Sequence, residues 1–205
     1  TVAEFDAVLD ALKFNNTENA SPTVGDRVFA VSANDGTNAG AAATVTVTVA
    51  ATNDTPTVSI VDGTPSFTES QGSHAANNVT VINNAITLTD LDTAVLKNAT
   101  VEITNVKAGD VLALDTSTHT KFDATLSGGV LTIAEKSGQT ASTADLQAAL
   151  RDVTFANTTD TPDTTARTIE FKVSDGNSTS TAATESVAVT ATNCLLYTSD
   201  AADEH

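Results

Sequence analysis

Residues Thr168–Gly176 read TIEFKVSDG. Ile169, Phe171 and Val173 alternate with Glu170 and Lys172, which is the pattern of a half-buried β-strand with one apolar face. Asp175 and Gly176 follow at once with the residue types of a tight turn. The same punctuation occurs earlier in the chain. Ala33–Gly36 (ANDG) matches Val173–Gly176 (VSDG), and Ala51–Asn53 matches Ala191–Asn193, both at an offset of 140 residues. Val8–Thr17 (VLDALKFNNT) matches Ala149–Thr158 (ALRDVTFANT) at an offset of 141, so one residue is gained or lost in a single loop. A period this long is a whole domain rather than the rung of a solenoid. The chain is therefore read as an excerpt of a tandem array. Residues 1–53 are the C-terminal part of a first copy, and 54–193 are a complete second copy.

Working outward through the complete copy, further alternating segments are 57–61, 86–88, 100–104, 111–114, 130–133, 153–155 and 187–191. Ser127–Val130 (SGGV) reads as a hairpin turn. About seven or eight short strands per repeat, separated by Gly, Asn, Asp and Ser, predict an all-β fold, a Greek-key β-sandwich. Roughly a fifth of the residues are Thr and Val is abundant, in keeping with pleated strands. One segment differs. Ser142 is followed three residues later by Asp145, with Leu146, Ala149 and Leu150 at helical spacing, which predicts a short capped helix. Thr1, Glu4, Phe5, Val8 and Leu9 repeat the device in the first copy.

The sequence carries a net charge of -17, with 26 acidic residues against 9 Lys and Arg. Such acidity argues against nucleic acid as a partner, which needs cations to displace phosphate counterions. It suits a solvated surface and divalent cations. No apolar run is long enough for direct membrane insertion. The last twelve residues, 194–205, break the pattern and hold the only Cys and the only Tyr. They read as the in-frame translation of a sequencing adapter on a metagenomic gene fragment, and they are excluded from fold reasoning. Authentic sequence then lacks cysteine, so a disulfide framework and a thiolate metal site are both excluded.

The junction around Asn53-Asp54-Thr55-Pro56 is short and stiffened by proline. In a seven-strand sandwich whose strands alternate up and down, the loops after the second and sixth strands lie beside the incoming linker. That topology gathers Asp90, Asp92 and Asp175 near Asn53 and Asp54. The loop after the fifth strand of the preceding copy would add Glu18, with Asn16 and Asn19 as weaker candidates. Carboxylates and amide oxygens without His or Cys are ligand chemistry for Ca²⁺, a hard cation with six to eight oxygen ligands. Asp90 and Asp92 do not open an EF-hand, because Val95 stands where glycine is needed and Val101 where glutamate is needed. For Asp175-Gly176 and Asp35-Gly36 an ordinary turn is the competing reading, and the two roles are compatible.

These residues resemble a known family. Asn53-Asp54-Thr55-Pro56 looks like the linker motif of cadherin-type domains, Asp90-Leu91-Asp92 like their Asp-x-Asp loop, and Phe67-Thr68-Glu69 like the glutamate motif near their first strand. With the LQAAL helix and the IEFKVSDG strand, the pattern resembles the cadherin-like and Ig-like tandem repeats of large bacterial surface adhesins of the RTX and VCBS type. The resemblance covers both copies. It implies an extracellular or bacterial cell-surface location and a structural spacer supporting cell adhesion or biofilm formation. Neighbouring repeats of the same chain would be its partners, Ca²⁺ would stiffen the junctions, and any surface glycan or protein ligand would be met through other domains. It adds Glu69 to the candidate ligands. The linker is shorter than in cadherins and no Asp-Arg-Glu motif stands in the loop at 15–19, which bears on the number of ions per junction.

Other readings have less behind them. No Gly-x-Ser-x-Gly elbow and no base beside a nucleophile is present, so no enzyme is expected. His74 and His119 read as exposed loop residues. A glycan- or protein-binding module would want an aromatic platform, and of Phe67, Phe122, Phe155 and Phe171 the last two sit in core-facing registers. An accessory repeat of a secreted hydrolase is the third alternative. The incomplete first copy is expected to expose unpaired edges and half a core, and so to be disordered or prone to aggregation.

Overall fold

The computed structural model describes residues 2–18, 20–61, 63–70 and 78–192. Thr1, Asn19, His74, Asn193 and the tail from 194 onward, all invoked above, lie outside the described residues. The chain divides into two compact units, Thr1–Asp54 and Thr55–His205.

The first unit consists of α1 (Val2–Asp10) followed by the hairpin of β1 (Gly25–Val31) and β2 (Ala43–Val49). In place of the expected disorder there is regular secondary structure, yet none of the unit's described residues is buried. Its apolar side chains stay exposed or half-buried, with Phe14 and Phe29 meeting at a ring-centroid distance of 5.5 Å.

The second unit is all-β with one short helix. Its strands are β3 (Thr57–Ser59), β4 (Ser66–Thr68), β5 (Thr80–Val81), β6 (Thr87–Thr89), β7 (Asn98–Ile103), β8 (Asp110–Ala113), β9 (Phe122–Ser127), β10 (Val130–Glu135), β11 (Thr154–Asn157), β12 (Arg167–Ser174) and β13 (Ala183–Thr190), with α2 (Thr143–Arg151) before β11. One layer is a six-stranded sheet in the order β4-β13-β12-β7-β10-β9, and the remaining strands form the sets β5-β11-β8 and β3-β6. Strand β7 lies between β12 and β10, so the chain crosses over between hairpins, as a Greek key requires.

All eight strands anticipated from alternation are present. Three more are added, and the reason differs for each. β4 and β5 are too short to show a period, and β4 joins the sheet parallel to β13. β9 alternates Phe122, Ala124 and Leu126 with polar residues, but as an edge strand it leaves Leu126 41% exposed. The β9–β10 turn pairs Ser127 with Val130, and Gly128 and Gly129 both adopt positive φ, as a primed hairpin turn demands.

Alternation places Val101 and Ile103 of β7, Ile133 of β10, Ile169, Phe171 and Val173 of β12 and Val187 of β13 in one core with Phe67 and Phe155. The last two meet edge to face with ring centroids 5.6 Å apart, an arrangement the ring quadrupoles favour. The helix closes this core with Leu146, Ala149 and Leu150, all fully buried. Its start follows from the sequence. Ser142 accepts from the Asp145 amide, and Asp145 accepts from the Ser142 amide, so two otherwise orphaned donors are satisfied reciprocally.

The two units repeat each other in hydrogen-bond register. Phe29 pairs with Val45 as Ile169 pairs with Glu185, and the isolated bridge Asn34–Ala39 recurs as Ser174–Thr179. Every one of these pairs is displaced by the 140 residues seen in the sequence.

Candidate functional site

The site is built at one end of the second unit. Thr57, the first residue of β3, pairs with Thr89, the last of β6, so the chain enters the sandwich directly beside Asp90. From there residues 90–97 lead to β7, whose first residue Asn98 faces Ser174 at the close of β12. The Lys97 amide donates to the Ser174 carbonyl at 2.7 Å. The Asp90–Asp92 loop and the Asp175 turn therefore belong to the same end of the sandwich.

Asp90 Oδ1 accepts the amides of Asp92 and Thr93, each at 3.1 Å, which folds the loop into an Asx turn. The second oxygen, Asp90 Oδ2, is buried and receives no hydrogen bond. Burial raises the Asp90 pKa above the ordinary carboxylate value, and the Asp92 side chain standing against it raises it further. Burial of a carboxylate oxygen without a donor is costly, and next to a second carboxylate that cost is relieved by either a proton or a cation. A hard, oxygen-seeking divalent ion suits this donor set in kind. The number of donors is small: among the described residues, no group of three or more His, Cys, Asp or Glu side chains converges as a metal centre.

Asp175 is tied up differently. Its Oδ1 accepts the amides of Asn177 and Ser178 at 2.6 and 2.7 Å, and Gly176 takes φ 99°. Asp35 does the same with Thr37 and Asn38, beside Gly36 at φ 96°. Those amides, Asn38 first, hold the Asp35 pKa below its usual value. The turn reading thus accounts for both Asp-Gly pairs, in geometry as well as in sequence.

Glu69 does not join that end. β4 runs parallel to β13, and the Glu69 amide donates to Thr190 while Glu69 Oε2 accepts the Thr192 amide at 2.9 Å. The Thr192 hydroxyl donates to the Glu69 carbonyl. Glu69 therefore clips the outgoing segment at the end of β13, opposite Asp90 along the strands. Asn53, Asp54 and Glu18 belong to the first unit. Asn53 Nδ2 donates to the Asp54 carbonyl, and the Glu18 amide donates to Asn16 Oδ1. The second copy carries Thr159 where the first has Glu18, so an acidic ligand in this loop is not a feature of both copies.

Sequence reading missed the most buried charges among the described residues. Arg167 Nε donates to Asp110 Oδ2 at 2.6 Å, and both side chains are wholly buried. Asn157 Nδ2 donates to Asp110 Oδ1 at 2.8 Å, the Lys107 amide donates to Oδ2, and the remaining guanidinium nitrogens reach the carbonyls of Thr165 and Asp163. Every polar atom of the pair finds a partner, which is the condition under which a buried ion pair is tolerated. Glu185 is a second such residue, with Oε2 accepting from Asn83 Nδ2 at 2.6 Å and from the Gly63 amide.

No family model matches the chain, and no curated protein does. Phe67, Phe122, Phe155 and Phe171 are all buried, at most 2% exposed, so the complete copy has no aromatic platform for a glycan among its described residues. His119 is not the exposed loop residue expected. Its side chain is 12% exposed, and Nε2 lies 2.8 Å from Asp152 Oδ2 at the C-cap of α2. Among the described residues no helix is long and apolar enough to cross a membrane.

Proposed function

We propose that the complete copy is a structural spacer repeat of a secreted or cell-surface bacterial adhesin, supporting cell adhesion or biofilm formation. In this reading Asp90 and Asp92 take up Ca²⁺ at the end of the sandwich into which the linker leads. The observation that carries the cation is Asp90 Oδ2, a buried carboxylate oxygen with no donor beside a second carboxylate. The register-for-register duplication of the two units supports the spacer, because a module repeated down to its turns is built for stacking in series.

The chain's own residues divide the work. The Asx turn fixes Asp90, the Thr57–Thr89 pairing fixes the chain entering beside it, and Pro56 is buried where the linker meets the sandwich. A bound Ca²⁺ supplies positive charge and oxygen coordination, which removes the like-charge repulsion of the pair and couples binding to ordering of the segment.

Isothermal titration of the full chain with CaCl₂ tests the reading. Binding in the sub-millimolar to millimolar range, typical of extracellular modules, with loss of the signal in Asp92→Ala, supports it. No heat and no change in solution scattering up to ~10 mM Ca²⁺ would remove the cation from the account.

A further inference from the structure

We propose that the exposed face of the first unit is a docking surface for the leading strands of another copy of this same repeat, recognised by an aspartate at the position of Asp110. The inference rests on the two-copy organisation and is independent of calcium. Two separate sets of groups point to it.

The first set is apolar. Phe5 and Val8 on α1 are 52% and 63% exposed, while their counterparts Leu146 and Ala149 on α2 are wholly buried. Phe29 on β1 is 40% exposed and its counterpart Ile169 is buried. In the second unit these positions are covered by β6 and β7, which pack on α2, and by β7 alongside β12.

The second set is polar and specific. Arg27 Nη1 and Nη2 donate to the carbonyls of Gly25 and Thr23, the same two positions that the Arg167 guanidinium holds as Thr165 and Asp163. Asn16 Oδ1 accepts the Glu18 amide as Asn157 Oδ1 accepts that of Thr159. In the second unit the remaining donors, Arg167 Nε and Asn157 Nδ2, converge on the Asp110 carboxylate of β8. Among the described residues, Arg27 Nε and Asn16 Nδ2 meet no acceptor. The half-module thus presents an arginine and an asparagine arranged as in a buried carboxylate receptor, beside an uncovered apolar face. The occupant that satisfies both is a β-strand carrying Asp at the Asp110 position, within a segment equivalent to residues 55–141.

The test extends the full chain by a second copy of residues 54–141 placed ahead of Thr1. Hydrogen exchange at the β1 amides is expected to slow by at least ~100-fold relative to the native chain, since exchange then requires opening a packed sheet. Asp110→Asn in the added segment should remove most of that slowing. Arg27→Gln should speed exchange in the extended chain and leave the native chain unchanged. Equal β1 exchange in the extended and native chains overturns the proposal, as does an equal effect of Arg27→Gln in both. Self-association of the native chain through this face that persists after the extension would make a second half-module the occupant, and overturns it too.

Discussion

Arg27 and Arg167, 140 positions apart, each hold the backbone carbonyls two and four residues before them, and among the described residues only Arg167 of the two also holds a carboxylate, that of Asp110. One side chain in one local setting therefore exists with and without its buried partner. Asp110→Ala leaves the guanidinium buried and uncompensated, and should destabilise the second unit by about 3–5 kcal/mol. Arg27→Met, at a half-buried position that holds no carboxylate among the described residues, should change stability by no more than about 0.5 kcal/mol. Chemical denaturation of each variant measures both, and comparable losses would mean that the Asp110 pair is not the anchor described.

Gly109 precedes that aspartate and tests the crowding around it. It adopts φ +81°, and a Cβ there would stand 2.6 Å from Thr159 Cγ2. Gly138 has nearly the same φ, +82°, with nothing within 4 Å. Alanine carries the positive-φ strain at both positions, so the difference between the variants isolates the clash. Gly109→Ala should cost about 1–3 kcal/mol more than Gly138→Ala, as read from denaturant midpoints.

The α2 cap makes a pH prediction. Lys121 and then the hydroxyl and amide of Ser142 hold the Asp145 carboxyl well below its ordinary value of 3.8. A folded-state value lower than the unfolded one gives stability that is fully present above pH 3.8 and is lost as the pH falls below it. The side chain is 34% exposed, so screening limits the contribution to ~1 kcal/mol. Asp145→Ala should therefore melt below the native chain at neutral pH, and the two melting curves should converge in acid. A constant gap across the titration would remove the carboxylate's charge from the cap.

Much of the fold was legible because alternation and turn chemistry speak locally. Ile169, Phe171 and Val173 announced their strand, and Ser142 with Asp145 announced the helix. The short pieces β4 and β5 exist only through their partners, Val189 for Phe67 and Phe155 for Thr80, and no local period could reveal them. The Arg167–Asp110 pair did leave a trace. Arg167 is in phase with the core-facing Ile169 and recurs as Arg27, and a charge kept in a buried register in two copies signals a buried partner. Glu185, in phase with Val187 and Val189, carries the same trace. Glu69 was added to the candidate ligands because Phe67-Thr68-Glu69 resembles the glutamate motif of cadherin-type domains. The parallel pairing of β4 with β13, which sends it to the end opposite Asp90, is a long-range fact that composition does not hold.

The most direct test of the cation reading is thermal unfolding of the native chain and of Asp90→Asn, each with excess chelator and with ~5 mM Ca²⁺. The asparagine keeps the Oδ1 acceptor of the Asx turn and offers Asp92 an amide in place of the buried oxygen. In chelator it should melt higher than the native chain, by about 1 kcal/mol of stability. Calcium should raise only the native chain, by about 1.4 kcal/mol if Kd is near ~0.5 mM, or roughly 3 to 6 °C. A native chain whose melting temperature ignores Ca²⁺, or an Asp90→Asn variant that responds equally, would contradict the account.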